Sequence, residues 1–145
     1  MIDAGFSSWS QIYPRAIKHV QREVGLKSPV TMLEHGRWKY LASLDGNGWA
    51  NRLPFLLVLG SLVFKQDSPF YTWWYPLLPP WVHYLPLNYT LQNVIERIKW
   101  AKENDQKAQS ISRNGKEVVL EFLVENSDLY MCKLLRSYAN LYRVV

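Results

Sequence analysis

The feature of this sequence that most constrains its fold is an alternation of short strand-like segments with helix-like segments, separated by glycine and proline. Strands are predicted at residues 38–44, 61–65 and 82–87, because each is a short apolar or alternating run bounded by turn residues. Strands that alternate with helices favour a parallel sheet with helices on both faces. The predicted fold class is therefore α/β, with a parallel sheet and flanking helices.

Helices are predicted before, between and after these strands. In chain order they cover residues 11–24, 49–59, 70–78, about 90–123 with an interruption at Asn104-Asp105, and about 127–142. Thr90 is expected to cap the fourth helix, and Cys132 is expected in the core below the last one. Residues 1–145 are interpreted as a single domain, with its core at about 36–123 and a C-terminal helix at about 127–142.

Composition limits the classes of function. The chain has 145 residues, 48% of them apolar, and a net charge of +5, which suits one folded domain that binds something anionic. One cysteine excludes an internal disulfide and a cysteine-based zinc site, and three scattered histidines predict no metal site. The longest apolar run, residues 53–64, is shorter than the ~20 residues that span a membrane. Phosphate-bearing ligands, nucleic acid and membrane surfaces all remain compatible with the charge.

A candidate anion site follows the first predicted strand. That strand runs into Asp45-Gly46-Asn47-Gly48, and the helix predicted next contains Arg52. Ligands of parallel sheets lie beyond the carboxyl ends of the strands, helix N-termini favour anions, and arginine binds two phosphate oxygens at once. Lys65 ends the second strand at the same edge. The spacing is neither G-x-G-x-x-G nor a Walker motif, so the motif taken alone favours a structural turn with a solvated arginine.

Five segments, in order along nearly the whole chain, resemble one family. They are DAGF at 3–6, WKYLASLDGNGWANR at 38–52, GSLVFKQD at 60–67, PWVHYLP at 80–86 and KWAKEND at 99–105, which Ala108 and Gly115 follow. These segments are similar to the strand, turn, arginine and helix elements of the capsule-associated glycosyltransferases and the KDEL-motif-containing protein O-glucosyltransferases. The sequence is identified on them as a member of that family.

The resemblance implies a fold and an activity. Family members have two facing Rossmann-like domains in the GT-B arrangement, and this chain corresponds to the C-terminal, donor-binding half. The N-terminal half, with the acceptor site and the general base, is expected to be absent here. The implied reaction is inverting transfer of glucose or xylose from a UDP-sugar to a protein or glycan acceptor. No cofactor, metal, nucleic acid or transmembrane segment is expected, and the implied location is the lumen of the endoplasmic reticulum or Golgi.

The resemblance also assigns roles to residues. Arg52 is expected to contact the donor diphosphate and to stabilise the UDP leaving group. The expected donor-binding residues are Asp45, Gly46, Asn47, Gly48, Trp49, Ala50, Asn51, Arg52 and Lys65. Ala50 departs from the family pattern, which usually has serine there, and one hydrogen bond to the donor is missing as a result.

Two other functions remain as hypotheses. A non-catalytic remnant that binds a sugar nucleotide or a protein is favoured by Ala50 and by the missing general base. A binder of single-stranded nucleic acid suits the basic charge and the aromatic residues, although lysine and arginine are spread along the chain. The aromatic group of Phe70, Tyr71, Trp73, Trp74, Tyr75 and Trp81 is interpreted either as a platform for a sugar or base or as packing. His83 is expected to be structural.

Overall fold

The computed structural model describes residues 14–23 and 27–142. The chain divides into two units, Met1–Thr31 and Met32–Val145. In the first unit the described element is α1, Pro14–Glu23, which falls inside the helix predicted at 11–24. Residues 11–13 and 24 of that predicted helix lie outside the described residues.

The second unit contains a three-stranded parallel sheet, as the strand–helix alternation predicted. Its strands are β1 (Tyr40–Ser43), β2 (Leu62–Gln66) and β3 (Leu85–Leu87), in the order β1-β2-β3. In the register, Ser43 stands opposite Lys65, and Lys65 stands opposite Pro86. β2 is the central strand, and Pro86 lies in an edge strand, where its missing N–H does little harm.

Five helical segments flank or follow the sheet. They are α2 (Leu53–Val58), α3 (Val94–Glu103), α4 (Asp105–Val119), a π-helical turn at Leu120–Glu125 and α5 (Ser127–Tyr142). Within the described residues, no helix is both long enough and apolar enough to cross a membrane.

The two faces of the sheet bury different helices. Successive strand residues point to opposite faces. Val63 therefore packs with Leu53 and Leu57 of α2, whereas Leu62 and Phe64 pack with α3 and α4. The α3–α4 side is completed by Leu85, Leu87, Ala101, Ala108 and Ile111. This two-layered burial around β2 is the α/β arrangement expected from the sequence.

Two predicted elements are shorter in the structure because proline and strained backbone interrupt them. The helix predicted at 70–78 is reduced to the 3₁₀ turn Tyr75–Leu77, which contains Pro76. The strand predicted at 82–87 begins only at Leu85, because Trp81 has a φ of 66° and turns the chain just before it. Such left-handed backbone is uncommon for a residue with a side chain.

The starts of two helices and the burial of one side chain differ from the prediction. α2 begins at Leu53 and not at residue 49, because the preceding residues form a closed loop. α3 begins after Asn93, which exchanges hydrogen bonds with Asn88, so Thr90 does not cap it. Cys132 is exposed on α5, so its predicted place in the core is wrong.

Gly115 marks the closest approach between α4 and the turn that precedes β3. A Cβ atom built on Gly115 would overlap the carbonyl oxygen of His83 and would lie 2.9 Å from Cδ2 of Leu57. The first contact is with backbone, which cannot move without displacing the turn. Two hydrogen bonds hold α4 in this place: Ser112 Oγ donates to the carbonyl of Gly60 at 2.8 Å, and Asn114 Nδ2 to that of Val82 at 3.2 Å.

We therefore expect Gly115→Ala to lower the free energy of unfolding by about 2 kcal/mol, as overpacking does. In an open helix the same substitution would stabilise by ~0.5–1 kcal/mol. Gly36→Ala is the matched control, since its Cβ would meet only Leu59 at 3.7 Å. Urea denaturation of both variants measures the difference, and equal or greater stability of Gly115→Ala would show that α4 can move away from His83.

Candidate functional site

The three loops that leave the carboxyl ends of the strands are joined by the side chain of Gln66. Its Oε1 accepts a hydrogen bond from the Asp45 amide at 3.1 Å, and its Nε2 donates to the carbonyl of Tyr89 at 2.8 Å. The loop after β1 is thereby tied through β2 to the loop after β3. This edge is where parallel sheets place their ligands.

The loop after β1 is closed by Asp45. Its Oδ1 accepts a hydrogen bond from the Ala50 amide at 2.9 Å, and the Gly46 amide donates to the Gly48 carbonyl at 3.2 Å. These two amides are used inside the loop and are not available to a ligand. The amides of residues 47–49 between them, together with Arg52, form the surface that an anion could contact.

Arg52 precedes α2 and is not part of it, because the helix begins one residue later. Its Nη2 donates to the carbonyl of Leu44 at 3.5 Å, so the guanidinium folds back over the end of β1. The side chain is exposed. A guanidinium held at a strand end with unused donors is suited to bind phosphate oxygens.

Lys65 lies on the α2 side of β2 and is nearly buried, with 9% of its surface exposed. Its Nζ donates to the carbonyl of Gln66 at 3.2 Å and lies 4.5 Å from the ring centre of Tyr75 and 5.7 Å from that of Tyr84. The ammonium therefore sits between two aromatic faces, an arrangement that attracts a cation.

Burial and nearby carboxylates shift the proton affinities of this cluster. Burial lowers the pKa of Lys65, and the charges of Asp45 and Asp67 partly oppose that shift. Burial, and then Asp45 and Tyr84, raise the pKa of Tyr75 to about 12. Burial followed by the charge of Asp67 also raises the pKa of Tyr84. The tyrosines are therefore neutral hydroxyl groups at physiological pH.

Several buried polar atoms of this edge lack a hydrogen-bond partner among the described residues. They are Asp45 Oδ2, Tyr75 Oη, Thr72 Oγ1 and Ser43 Oγ. Buried polar atoms are normally satisfied, so each of these has capacity left for water or a ligand. Asp45 Oδ2 accepts only, whereas the hydroxyl groups can donate.

The predicted site residues are distributed around this edge as follows. Gly46, Asn47, Trp49, Asn51 and Arg52 are exposed, Asp45 and Gly48 are half-buried, and Ala50 and Lys65 are buried. Trp49 shows 51% of its surface to solvent and packs little against the loop. His83 precedes β3 and therefore lies at the other edge of the sheet.

The arrangement of three residues of the site was not predicted from sequence. Gln66 follows the strand predicted at 61–65, but its bridging of two loops depends on distances that sequence does not give. Tyr75 and Tyr84 surround Lys65, and no pattern in the sequence indicates that pairing. Within residues 14–23 and 27–142, no three His, Cys, Asp or Glu side chains are placed to hold a metal ion.

Comparison with known proteins identifies relatives. The pattern of Glycosyl transferase family 90 matches residues 8–145. The chain is 33% identical over 140 residues to Protein O-glucosyltransferase 3 of Homo sapiens, which covers 96% of this chain and 27% of that protein. It is 34% identical over 148 residues to Protein O-glucosyltransferase 2 of Danio rerio, covering 97% of this chain and 28% of that protein. The chain thus spans about a quarter of the length of these relatives.

Replacing Lys65 by methionine should raise the free energy of unfolding at neutral pH by about 1 kcal/mol. Methionine keeps the packing between the tyrosine rings and removes a charge that burial disfavours. Because the pKa of Lys65 is lowered from 10.5 in the folded chain, the wild-type protein gains stability as pH rises from that lowered pKa to 10.5. The difference in the free energy of unfolding between Lys65→Met and the wild-type protein should therefore narrow over that pH range.

Urea denaturation across the pH range measures this effect, with Lys102→Met as the control for an exposed lysine of α3. The control should change stability by less than about 0.5 kcal/mol at every pH. A loss of stability in Lys65→Met at neutral pH would show that the ammonium holds the folded chain together.

Proposed function

Because the chain belongs to glycosyl transferase family 90, we propose that its residues bind the donor of an inverting O-glycosyltransferase that takes glucose or xylose from a UDP-sugar. The observation that carries this proposal is the exposed guanidinium of Arg52, held at the carboxyl end of β1 beside the loop that Asp45 closes. A flexible turn would not hold the charge of an arginine in one place. Hydrogen bonds fix this loop at both ends, from the Asp45 amide to Gln66 at its start and from the Ala50 amide to Asp45 at its end.

The diphosphate of the donor is assigned to the surface formed by Arg52 and the amides of residues 47–49. Arg52 can supply two parallel hydrogen bonds to phosphate oxygens. Lys65 adds a second positive charge, nearly buried beside the rings of Tyr75 and Tyr84. Its charge acts on the phosphate mainly through the poorly polarisable interior, where electrostatic interactions are stronger than in water.

The unpartnered groups next to this surface suit the hydroxyl groups of the donor. Asp45 Oδ2 can accept from a hydroxyl group, and Tyr75 Oη can donate to one or accept from it. Both belong to a cluster with Lys65, whose electrostatic partners include Asp45. Binding of ribose or sugar hydroxyl groups would satisfy atoms that are otherwise buried without partners.

In the proposed reaction, a general base removes the proton of an acceptor hydroxyl group, and its oxygen attacks the anomeric carbon from the face opposite to UDP. The bond from that carbon to the diphosphate breaks, and UDP leaves with the electron pair. Negative charge develops on the diphosphate, where Arg52 would stabilise it electrostatically without a metal. The general base and the protein or glycan acceptor site are assigned to parts of the enzyme outside these residues.

The rest of the assignment follows the relatives. The Homo sapiens and Danio rerio relatives are named for O-glucosyl transfer to protein. We extend that acceptor class, and a location in the lumen of the endoplasmic reticulum or Golgi, to this chain. No further cofactor is part of the proposal.

A second candidate is a non-catalytic module that binds a sugar nucleotide. Ala50 favours it, because a buried methyl group occupies the position where the family resemblance leads one to expect a serine hydroxyl. Donor binding without transfer would fit a weakened but folded site. The two candidates share the donor site and differ in whether transfer follows binding.

Arg52→Ala should abolish most of the stabilisation that UDP gives to this chain. A ligand at 100 times its dissociation constant stabilises by about 2.7 kcal/mol, and thermal unfolding with and without UDP, UDP-glucose and UDP-xylose measures the shift. Arg113→Ala, an exposed arginine of α4, is the matched control and should keep the full shift. Equal UDP affinity in Arg52→Ala and wild type would remove Arg52 from the site.

Ala50→Ser should tighten UDP binding about fivefold, which corresponds to about 1 kcal/mol for one restored hydrogen bond. Isothermal titration calorimetry measures the dissociation constant, and Ala139→Ser on the exposed face of α5 serves as the control. Unchanged or weaker binding would mean that the side chain at this position does not face the donor. Tighter binding without transfer to any acceptor would favour the non-catalytic module.

A further inference from the structure

A groove of about 510 Å³ lies at the amino end of β3. Trp81 and Val82 precede β3, whereas Asp45 follows β1. In this parallel sheet the groove therefore lies at the amino ends of the strands and the proposed donor site at their carboxyl ends. The groove is lined by Trp81, Val82, Trp100, Gln106, Lys107, Ser110, Ile111 and Asn114. Its volume is within the range of about 300–1,000 Å³ that is usual for ligand sites.

Trp81 is presented to this groove by a strained turn. Its φ of 66° is left-handed, its amide donates to the carbonyl of Tyr84 at 2.8 Å, and 40% of its surface is exposed. Backbone strain persists only where the surroundings impose it, and it concentrates at binding sites. A glycine would adopt this turn without strain, so the position keeps a large aromatic ring at a conformational cost.

Neighbouring groups hold the Trp81 ring in place. The rings of Trp81 and Trp100 form a T-shaped pair with their centres 5.0 Å apart and an angle of 79°, and the guanidinium carbon of Arg97 lies 4.7 Å from the centre of the Trp81 ring. Arg97 is itself fixed, because its Nε donates to the Pro86 carbonyl at 3.3 Å and its Nη1 pairs with Glu96 at 2.9 Å. Trp81 therefore lines the groove in a position that its neighbours fix.

The opposite wall is one face of α4 and carries mostly uncharged polar groups. Gln106, Ser110 and Asn114 follow one another at intervals of four residues, which places them in a row. Asn114 Nδ2 donates to the Val82 carbonyl, so the side-chain oxygen is left to accept from a ligand. Lys107 adds one ammonium group, and Ile111 forms an apolar floor.

We propose that this groove binds a pyranose ring of a glycan, independently of the donor site. A pyranose has an apolar C–H face that stacks on an aromatic ring and a rim of hydroxyl groups that pair with amides and hydroxyls. The Trp81 ring and the row of Gln106, Ser110 and Asn114 supply these two kinds of contact. Single-stranded nucleic acid fits less well, because phosphates require several free cations and Arg97 is already paired.

The test uses isothermal titration calorimetry of this chain with maltotriose, xylotriose and a thymidine hexanucleotide, each with and without saturating UDP. We expect an oligosaccharide to bind and UDP to leave its affinity unchanged. Because UDP binding is measured separately, failure of the donor proposal and failure of this one are distinguishable. Absence of oligosaccharide binding to the folded chain, or tighter binding of the hexanucleotide in this groove, would overturn the proposal.

Two variants locate the oligosaccharide. Trp81→Ala should raise its dissociation constant about tenfold, because one stacking face is lost. Trp73→Ala is the matched control, since Trp73 is 46% exposed but stacks on Tyr130 of α5 with ring centres 4.3 Å apart. Gln106→Ala, an exposed change on α4, should weaken binding about fivefold and decides the question if Trp81→Ala does not fold. Unchanged affinity in the folded groove variants, or an equal loss in Trp73→Ala, contradicts the assignment.

Discussion

The central strand β2 is the constraint on which the rest of the structure depends. Its residues Leu62 to Lys65 are buried, and both neighbouring strands pair with it. The last two side chains of β2 have different roles, because they point to opposite faces of the sheet. Lys65 enters the side that α2 covers, and Gln66 ties the loops after β1 and β3 together. The residues of β2 that organise the core therefore also set the geometry at the carboxyl ends of the strands.

Much of the fold could be predicted because it depends on local signals. Glycine and the Asp-Gly-Asn-Gly turn mark the limits of β1 and β2 clearly. The helices after β3 have strong apolar periodicity. The signal fails where proline and aromatic residues are dense. In residues 70–82 the apolar pattern fits a helix or a strand, while Pro76 and the left-handed Trp81 allow neither. Tertiary contacts decide such a segment, and sequence periodicity does not encode them.

The candidate site was predictable in position and less so in composition. The motif at 45–52 and the strand end at Lys65 meet at one edge, because carboxyl ends of parallel strands always do. Two details depend on atomic distances instead. The amides of Gly46 and Ala50 donate hydrogen bonds within the loop itself. The rings that surround Lys65 belong to tyrosines ten and nineteen positions further along the chain. The prediction for Cys132 was wrong for another reason. An apolar helical face predicts burial but does not identify the surface that buries it, and Cys132 on α5 is exposed in this chain.

The missing side chain of Gly115 has a consequence beyond packing. It lets α4 rest against the carbonyl of His83, two residues from Trp81, and so it sets the spacing between the two walls of the groove. Residue 115 does not line the groove, yet a methyl group there would part its two walls. The width of the groove is thus set from behind, at a position on α4 where the helix leaves no room for a Cβ atom beside the turn. Homologous chains could tune what fits at this edge by changing a residue that no ligand ever meets.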